Sequence, residues 1–279
     1  MKMTVKYGLF LLTFLPSIAQ PITANADTWI KDPETDCKIW SPDPMQPGDK
    51  VSWTGGCLGG LASGPGTASV TNDGVELGVY DGTLVDGKFD GAGVLKLRKG
   101  KDDKFIEVRS SFKNGLAQGY GEIDNPNGSS YQGDFDAGEF DGSGIYVAAN
   151  GDRYEGQFKD GEPHGLGHFI AKDGEEYQGD FLGGKRFGLG IHISSTGGIY
   201  VGEFKDGLPS GSGMFEDKQG GRYHGQFAMG KPNGFGTYVA GDDATWQGFF
   251  VNGVPDGIAL MSKDGDAKVQ TWRNGKVAK

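Results

Sequence analysis

Three carboxylates, Asp134, Asp180 and Glu203, recur at one position of a repeated pentapeptide. Paired carboxylates are what acid and base catalysis on a glycosidic bond requires. On a strand framework, neighbouring units hold such groups about 10 Å apart on a polar face, too open for burial to raise one of them into a general acid. Asp134, Asp136, Glu139 and Asp141 lie close enough in sequence to hold Ca²⁺, yet they lack the D-x-D-x-D-G oxygen order of a calcium loop and read as solubilising acids. His164, His168, His192 and His224 have no cysteine or E-x-x-H partner at metal-ligand spacing and read as surface or turn residues. No nucleophile elbow, phosphate loop or dinucleotide fingerprint falls between a strand and a helix. The expectation is a chain that is not an enzyme and takes no cofactor or metal.

Cys37 and Cys57 are the only cysteines. Two thiols cannot complete a tetrahedral zinc site, and in an oxidising compartment one pair reads as a structural disulfide, worth about 3 kcal/mol in the chain-entropy account. Export is expected from residues 1–26. Lys2 and Lys6 precede the apolar run Leu9–Leu15, and Ala24, Asn25 and Ala26 end the segment like a signal-peptidase site, while the run is too short to span a bilayer. The protein is therefore expected in the periplasm or outside the cell.

Of 279 residues, 52 are Gly and 12 Pro, with no Gly-X-Y triplet, so collagen is excluded. Hydrophobic residues at 36% are thin for one large core, which favours an elongated repeat. A net charge of −10 argues against nucleic acid and disfavours anionic membranes, since both need clustered cations.

Blocks of 23 residues align the chain. The pairs Tyr131 and Phe135, Tyr154 and Phe158, Tyr177 and Phe181, Tyr200 and Phe204, Tyr223 and Phe227, and Trp246 and Phe250 all follow the pattern aromatic-x-Gly-x-Phe in one register. Units beginning at Val108, Tyr80 and Trp53 precede them, making nine across residues 53–267. In each unit a Gly follows the start by seven residues and another by eleven; a third follows by thirteen in most, with Ala259 in the last. Residues i, i+2 and i+4 of a strand share a face, so the two aromatics and the Gly between them point one way and polar residues the other. The glycines leave notches for a neighbouring strand's ring, and each ring is expected to slot over the bare backbone of the adjacent hairpin. Turns such as Asp160-Gly161 close each unit as a β-hairpin. Residues 27–52, with Pro33, Pro42, Pro44 and Pro47, are expected to cap the N-terminal edge, and residues 268–279, with Trp272 and Gly275, the other.

The pattern Y-x-G-x-F-x-x-G-x-x-x-G-x-G resembles the membrane occupation and recognition nexus (MORN) repeat, over residues 53 to about 275. The resemblance implies an all-β, elongated, curved, single-layer antiparallel sheet of successive hairpins, without catalysis of its own. Phospholipid binding has been proposed for that family. Departures are Val108 and Ser110 in the third unit, Cys57 and Leu84 at the second aromatic, and Asp243 and Asp266 at the late Gly.

The loop column Gln118, Asp141, His164, Phe187, Ser210, Asn233 and Asp256 varies in chemistry from unit to unit, and a variable rim on a fixed frame is where a partner can be read. Phe187 is its only large apolar member and lies beside Lys185 and Arg186. His164, Lys185, Arg186, Phe187 and Asn233 are thus the candidate contacts, and the expected role is a scaffold for an unidentified protein or envelope component. Peripheral phospholipid binding and envelope glycan binding are the alternatives.

Overall fold

A computed structural model describes residues 28–41, 46–99 and 104–278. The expected signal peptide, and Pro42 and Pro44 of the expected cap, lie outside the described residues. Every element among the described residues is a strand, and they form two compact units: one up to Asn150 together with Phe158–Gly161, the other Gly151–Gln157 with Glu162 onward.

The N-terminal unit contains β1 (Thr28–Lys31), β2 (Lys38–Ser41), β3 (Asp49–Trp53), β4 (Gly56–Leu58), β5 (Leu61–Asn72), β6 (Val75–Val85), β7 (Lys88–Arg98), β8 (Phe105–Lys113), β9 (Leu116–Asp124), β10 (Ser130–Asp136) and β11 (Glu139–Val147). From β5 onward each strand pairs antiparallel with the next. β12 (Arg153–Lys159) divides between the units. The C-terminal unit continues with β13 (Glu162–Ile170), β14 (Glu176–Leu182), β15 (Lys185–Ile193), β16 (Ile199–Lys205), β17 (Leu208–Glu216), β18 (Arg222–Ala228), β19 (Lys231–Val239), β20 (Thr245–Val251), β21 (Val254–Lys263), β22 (Asp266–Arg273) and β23 (Lys276–Val277). From β13 to β23 successive strands pair antiparallel. Each unit is thus an antiparallel sheet of successive hairpins. Asp160 and Gly161 turn with φ of 49° and 77°, the left-handed pair that matches strand twist in a two-residue hairpin.

Packing of the rings differs from the expected arrangement in one respect. Each Tyr lies over the glycines of its own hairpin, not of a neighbour. A Cβ on Gly179 would sit 2.7 Å from the Tyr177 hydroxyl, and one on Gly190, opposite it on the returning strand, 2.5 Å. The reason is register: Gly179 and Gly190 are direct cross-strand partners two residues from Tyr177, so the ring lies along its own strand into the bare patch. The neighbour's contribution is a Phe packed edge-on. Tyr177 meets Phe181 at 5.0 Å and Phe204 of the next hairpin at 4.9 Å; Tyr200 meets Phe204 at 5.1 Å and Phe227 at 4.9 Å. This zigzag buries Tyr131, Tyr177, Tyr200 and Tyr223 almost completely and forms the core of its unit.

Successive turns are also linked through backbone. Gly184 N donates to Pro163 O at 2.9 Å, Gly207 N to Arg186 O at 3.0 Å and Gly230 N to Pro209 O at 2.9 Å.

The first and last units show what the pattern tolerates. Trp53 takes the Tyr position, with its ring against Gly55 and Gly66. At the other end Ala259 supplies a methyl where the third Gly would stand, within 2.8 Å of where a Gly248 Cβ would lie, and Trp246 is only half-buried, tilted against Tyr238 at 5.7 Å. The expected N-terminal cap is a hairpin of β1 and β2 laid on the turns of later hairpins: Trp29 lies against Gly87, Trp40 against Gly115, and Trp40 N donates to Gly87 O at 2.8 Å. Cys37 is bonded to Cys57 and ties this hairpin to the start of the repeats.

Candidate functional site

Strand alternation leaves each repeat a second face, opposite the rings. In the N-terminal unit that face carries charge. Lys96 on β7 and Glu107 on β8 lie 3.6 Å apart, and Arg109 reaches Glu107 of its own strand at 2.7 Å and Asp124 on β9 at 3.0 Å. The same face in the C-terminal unit, expected to be polar, is apolar on β15, β16 and β17. Leu189 is 66% exposed, Ile191 43%, Val201 39%, Met214 46% and Phe187 44%. Cross-strand register joins them: Ile191 opposes Val201, and Val201 opposes Met214. Ile193 opposes Ile199 in the next row. The patch has acids on one flank, Glu176 and Asp180 on β14, and Arg222 and His224 on β18 on the other, where Glu216 opposes Arg222 and Met214 opposes His224.

The carboxylates first considered for catalysis have a structural task. In the hairpins β10–β11, β14–β15, β16–β17 and β18–β19 a register shift follows the motif Gly, and the next side chain accepts the backbone N–H left over by the bulge. Asp180 Oδ2 accepts from Leu189 N at 3.3 Å, Glu203 Oε1 from Ser212 N at 2.9 Å and Asp134 Oδ2 from Ser143 N at 3.0 Å. Gln226 does the same for Phe235 N at 3.2 Å, so the site requires an acceptor rather than a charge. A Cβ on Gly188 would lie 2.6 Å from Asp180 Oδ2, and Gly188 has φ of 58°, so this second Gly makes room for the clamp.

The proposed contact residues divide between faces. Phe187 pairs with Asp180 and Lys185 with Leu182, both on the open face. His164 and Asn233 occupy the matching place on β13 and β19 and are half-exposed. Arg186 points to the ring side instead. Its guanidinium lies 5.3 Å from the centre of Tyr177 and is paired with Glu175, whose Oε1 is 3.0 Å from His192 Nε2. In other hairpins Phe89 and Phe140 stack on Tyr80 and Tyr131 at 3.8 and 3.6 Å from this same position, which places Arg186 in a packing slot. Burial and the Arg186 charge hold His192 below its ordinary pKa; burial pushes Glu175 up, but Arg186 and His192 outweigh it and the carboxyl ends low. The rim column is not wholly free either. Gln118 Nε2 donates to Asp136 at 3.0 Å, Lys159 to Asp141 at 2.7 Å, and Asn274 N to Asp256 at 3.1 Å, each joining one hairpin to the next turn.

The missed residues, Leu189, Ile191 and Val201, had a signal in the sequence. They are the variable letters between and after the glycines of G-x-G-x and after the Tyr of Y-x-G, apolar here where other units carry Ser143 or Ser212, Glu122 or Thr237, and Arg109 or Gln132.

Among the described residues no helix is long and apolar enough to cross a membrane. No curated protein matches the chain. The MORN repeat matches residues 80–101, 110–130, 131–153, 154–176, 177–199, 200–222 and 223–245, more than half of the sequence. Those segments contain the tyrosines that lie over paired glycines from Tyr80 to Tyr223, and the chain belongs to the MORN repeat family.

Proposed function

We propose that this protein is an exported, non-enzymatic scaffold that holds out the open face of β15–β17 to a protein partner. A MORN array supports a repeat-based binding or scaffold role in general. The observation that carries the more specific reading is the contrast at equivalent positions: the framework accepts Lys96, Glu107 and Arg109 on the open face of one hairpin series and places Ile193, Ile199 and Val201 at the matching positions of another. Packing of the fold does not demand those apolar groups, and leaving them in water forgoes about 25 cal/mol per Å², which a covering surface would recover. Phe187 and Lys185 lie on the same face and extend it toward the turns. The disulfide between Cys37 and Cys57 suits an oxidising compartment and supports export. A chain charge of −10 sets anionic lipid behind a protein partner.

The test is affinity capture from envelope and secreted fractions with the parent chain and with the Ile191→Asp, Val201→Asp double variant, after matching their thermal melts. A partner retained by the parent and lost by the variant is expected. Equal capture by both would remove the assignment of this face. Flotation with anionic vesicles, strong in low salt and lost in high salt, would transfer it to lipid.

A further inference from the structure

We infer that the open face of β14–β18 is the interface of a reversible homodimer, its occupant a second copy of this chain related by a two-fold axis along β16; this rests on the reading of that face as a binding surface.

The charge pattern selects this arrangement. A two-fold axis parallel to β16 places β14 of one copy over β18 of the other and leaves rows along the strand unchanged. In one row, the paired residues run Glu176, Ile193, Ile199, Glu216 and Arg222 from β14 to β18. Rotation about Ile199 sets Glu176 against the second copy's Arg222, twice per dimer, and brings Ile193 over Glu216, where the stem of the acid covers the apolar side chain and its carboxylate stays beside its cross-strand neighbour Arg222. Glu176 has His168 at 3.5 Å beside it, and Arg222 has Glu216 as its cross-strand neighbour. In the next row, Gln178, Ile191, Val201, Met214 and His224, Ile191 comes over Met214, Val201 over itself and Gln178 over His224. In the third, Leu166 of β13 comes over Phe235 of β19, both exposed. An axis perpendicular to the strands would instead stack β14 on β14 and β18 on β18, acid on acid and base on base.

Area sets the strength. The exposed apolar side chains of β15–β17 present on the order of 500 Å² per copy, and the polar flanks bring the contact toward the roughly 800 Å² per partner of a standard interface. That is enough for a specific dimer and less than an obligate one, so dissociation at micromolar concentration is expected. Glu203 faces its own symmetry mate at the edge of the patch, and this single repulsive meeting is a mark of the axis position.

Sedimentation of the full chain across a concentration series is the experiment, with melts as a check on folding. The parent is expected to dimerise reversibly. Val201→Asp, which puts two like charges on the axis, should weaken dimerisation more than tenfold. Glu203→Gln should strengthen it severalfold, because Gln157 and Gln226 already occupy the same motif position in other repeats. Glu176→Arg and Arg222→Glu should each weaken it at low salt, and the two together restore it. A parent that stays monomeric at high micromolar concentration, or a charge-swapped double variant no better than the singles, overturns the dimer. If the parent is monomeric but Ile191→Asp, Val201→Asp still abolishes capture of another protein, the second copy is wrong and the binding face stands. If capture is also unchanged, both fall.

Discussion

A methyl group on Gly190 would lie 2.5 Å from the hydroxyl of Tyr177, closer than any carbon and oxygen can rest, and the hydroxyl is held there by donating to Asp180 O at 2.9 Å. Tyr131 with Gly144 and Asp134 O, and Tyr200 with Gly213 and Glu203 O, repeat the relationship. The ring cannot move away without giving up both that bond and its edge-on contacts with Phe181 and Phe204. One Gly therefore controls the packing of two hairpins.

Gly190→Ala is accordingly expected to destabilise the C-terminal unit by about 1–3 kcal/mol, read from urea melts. Trp246, half-buried beside Ala259, shows how the chain accommodates such a methyl. An unchanged midpoint would contradict the account of the notch.

Burial pushes Tyr177 and Tyr200 up to about 12, with the nearby carboxylates Asp180 and Glu203 adding to the rise. A phenol whose folded pKa is raised favours the folded state below its unfolded value of about 10, and that contribution is lost as pH climbs through the folded value. Stability should hold to pH about 10 and fall between about 10 and 12, with phenolate absorbance rising together with unfolding. Ionisation at the ordinary value in a still-folded protein would disprove the burial argument.

Asp180→Ala removes the acceptor for Leu189 N, and about 0.5–1.5 kcal/mol should be lost in thermal or urea melts. Asp180→Gln should cost less, since Gln226 accepts Phe235 N in the same way. Equal losses from both would show that the charge, not the acceptor, is needed.

Asp32 is 1% exposed and accepts from Thr35 Oγ1 at 2.6 Å, Glu34 N at 2.9 Å and Trp53 N at 3.1 Å. Burial pushes its pKa up, but these donors outweigh it and the folded value lies below the ordinary one. Its stabilisation is present above the unfolded pKa and is lost as pH falls through the folded one. Asp32→Asn should lower the melting midpoint at neutral pH, and the gap from the parent should close in acid. A gap that persists undiminished in strong acid would exclude the carboxylate as its source.

Hairpin by hairpin, much of this was legible in the chain. Tyr177, Gly179 and Phe181 share a face because strands alternate, Asp160-Gly161 is a turn because both residues tolerate positive φ, and Cys37 and Cys57 had only each other. The ring was assigned to the wrong hairpin because a notch in a sequence does not say which of several nearby rings fills it; that depends on the pairing of Gly179 with Gly190. Arg186 was placed with Phe187 on the rim because the two adjoin in sequence, whereas adjacent strand residues face opposite sides.

The sequence alone determined the repeat, its hairpins and the residues of its core, since those contacts form within one period or with the next and the spacing carries them. Only the tertiary structure decided that Ile191, Val201 and Met214 make one row, beside the row that runs from Glu176 to Arg222. Neighbours in that row lie ten or more residues apart along the chain, and their meeting depends on strand register and on the bulge at each second glycine, which single-residue patterns do not specify.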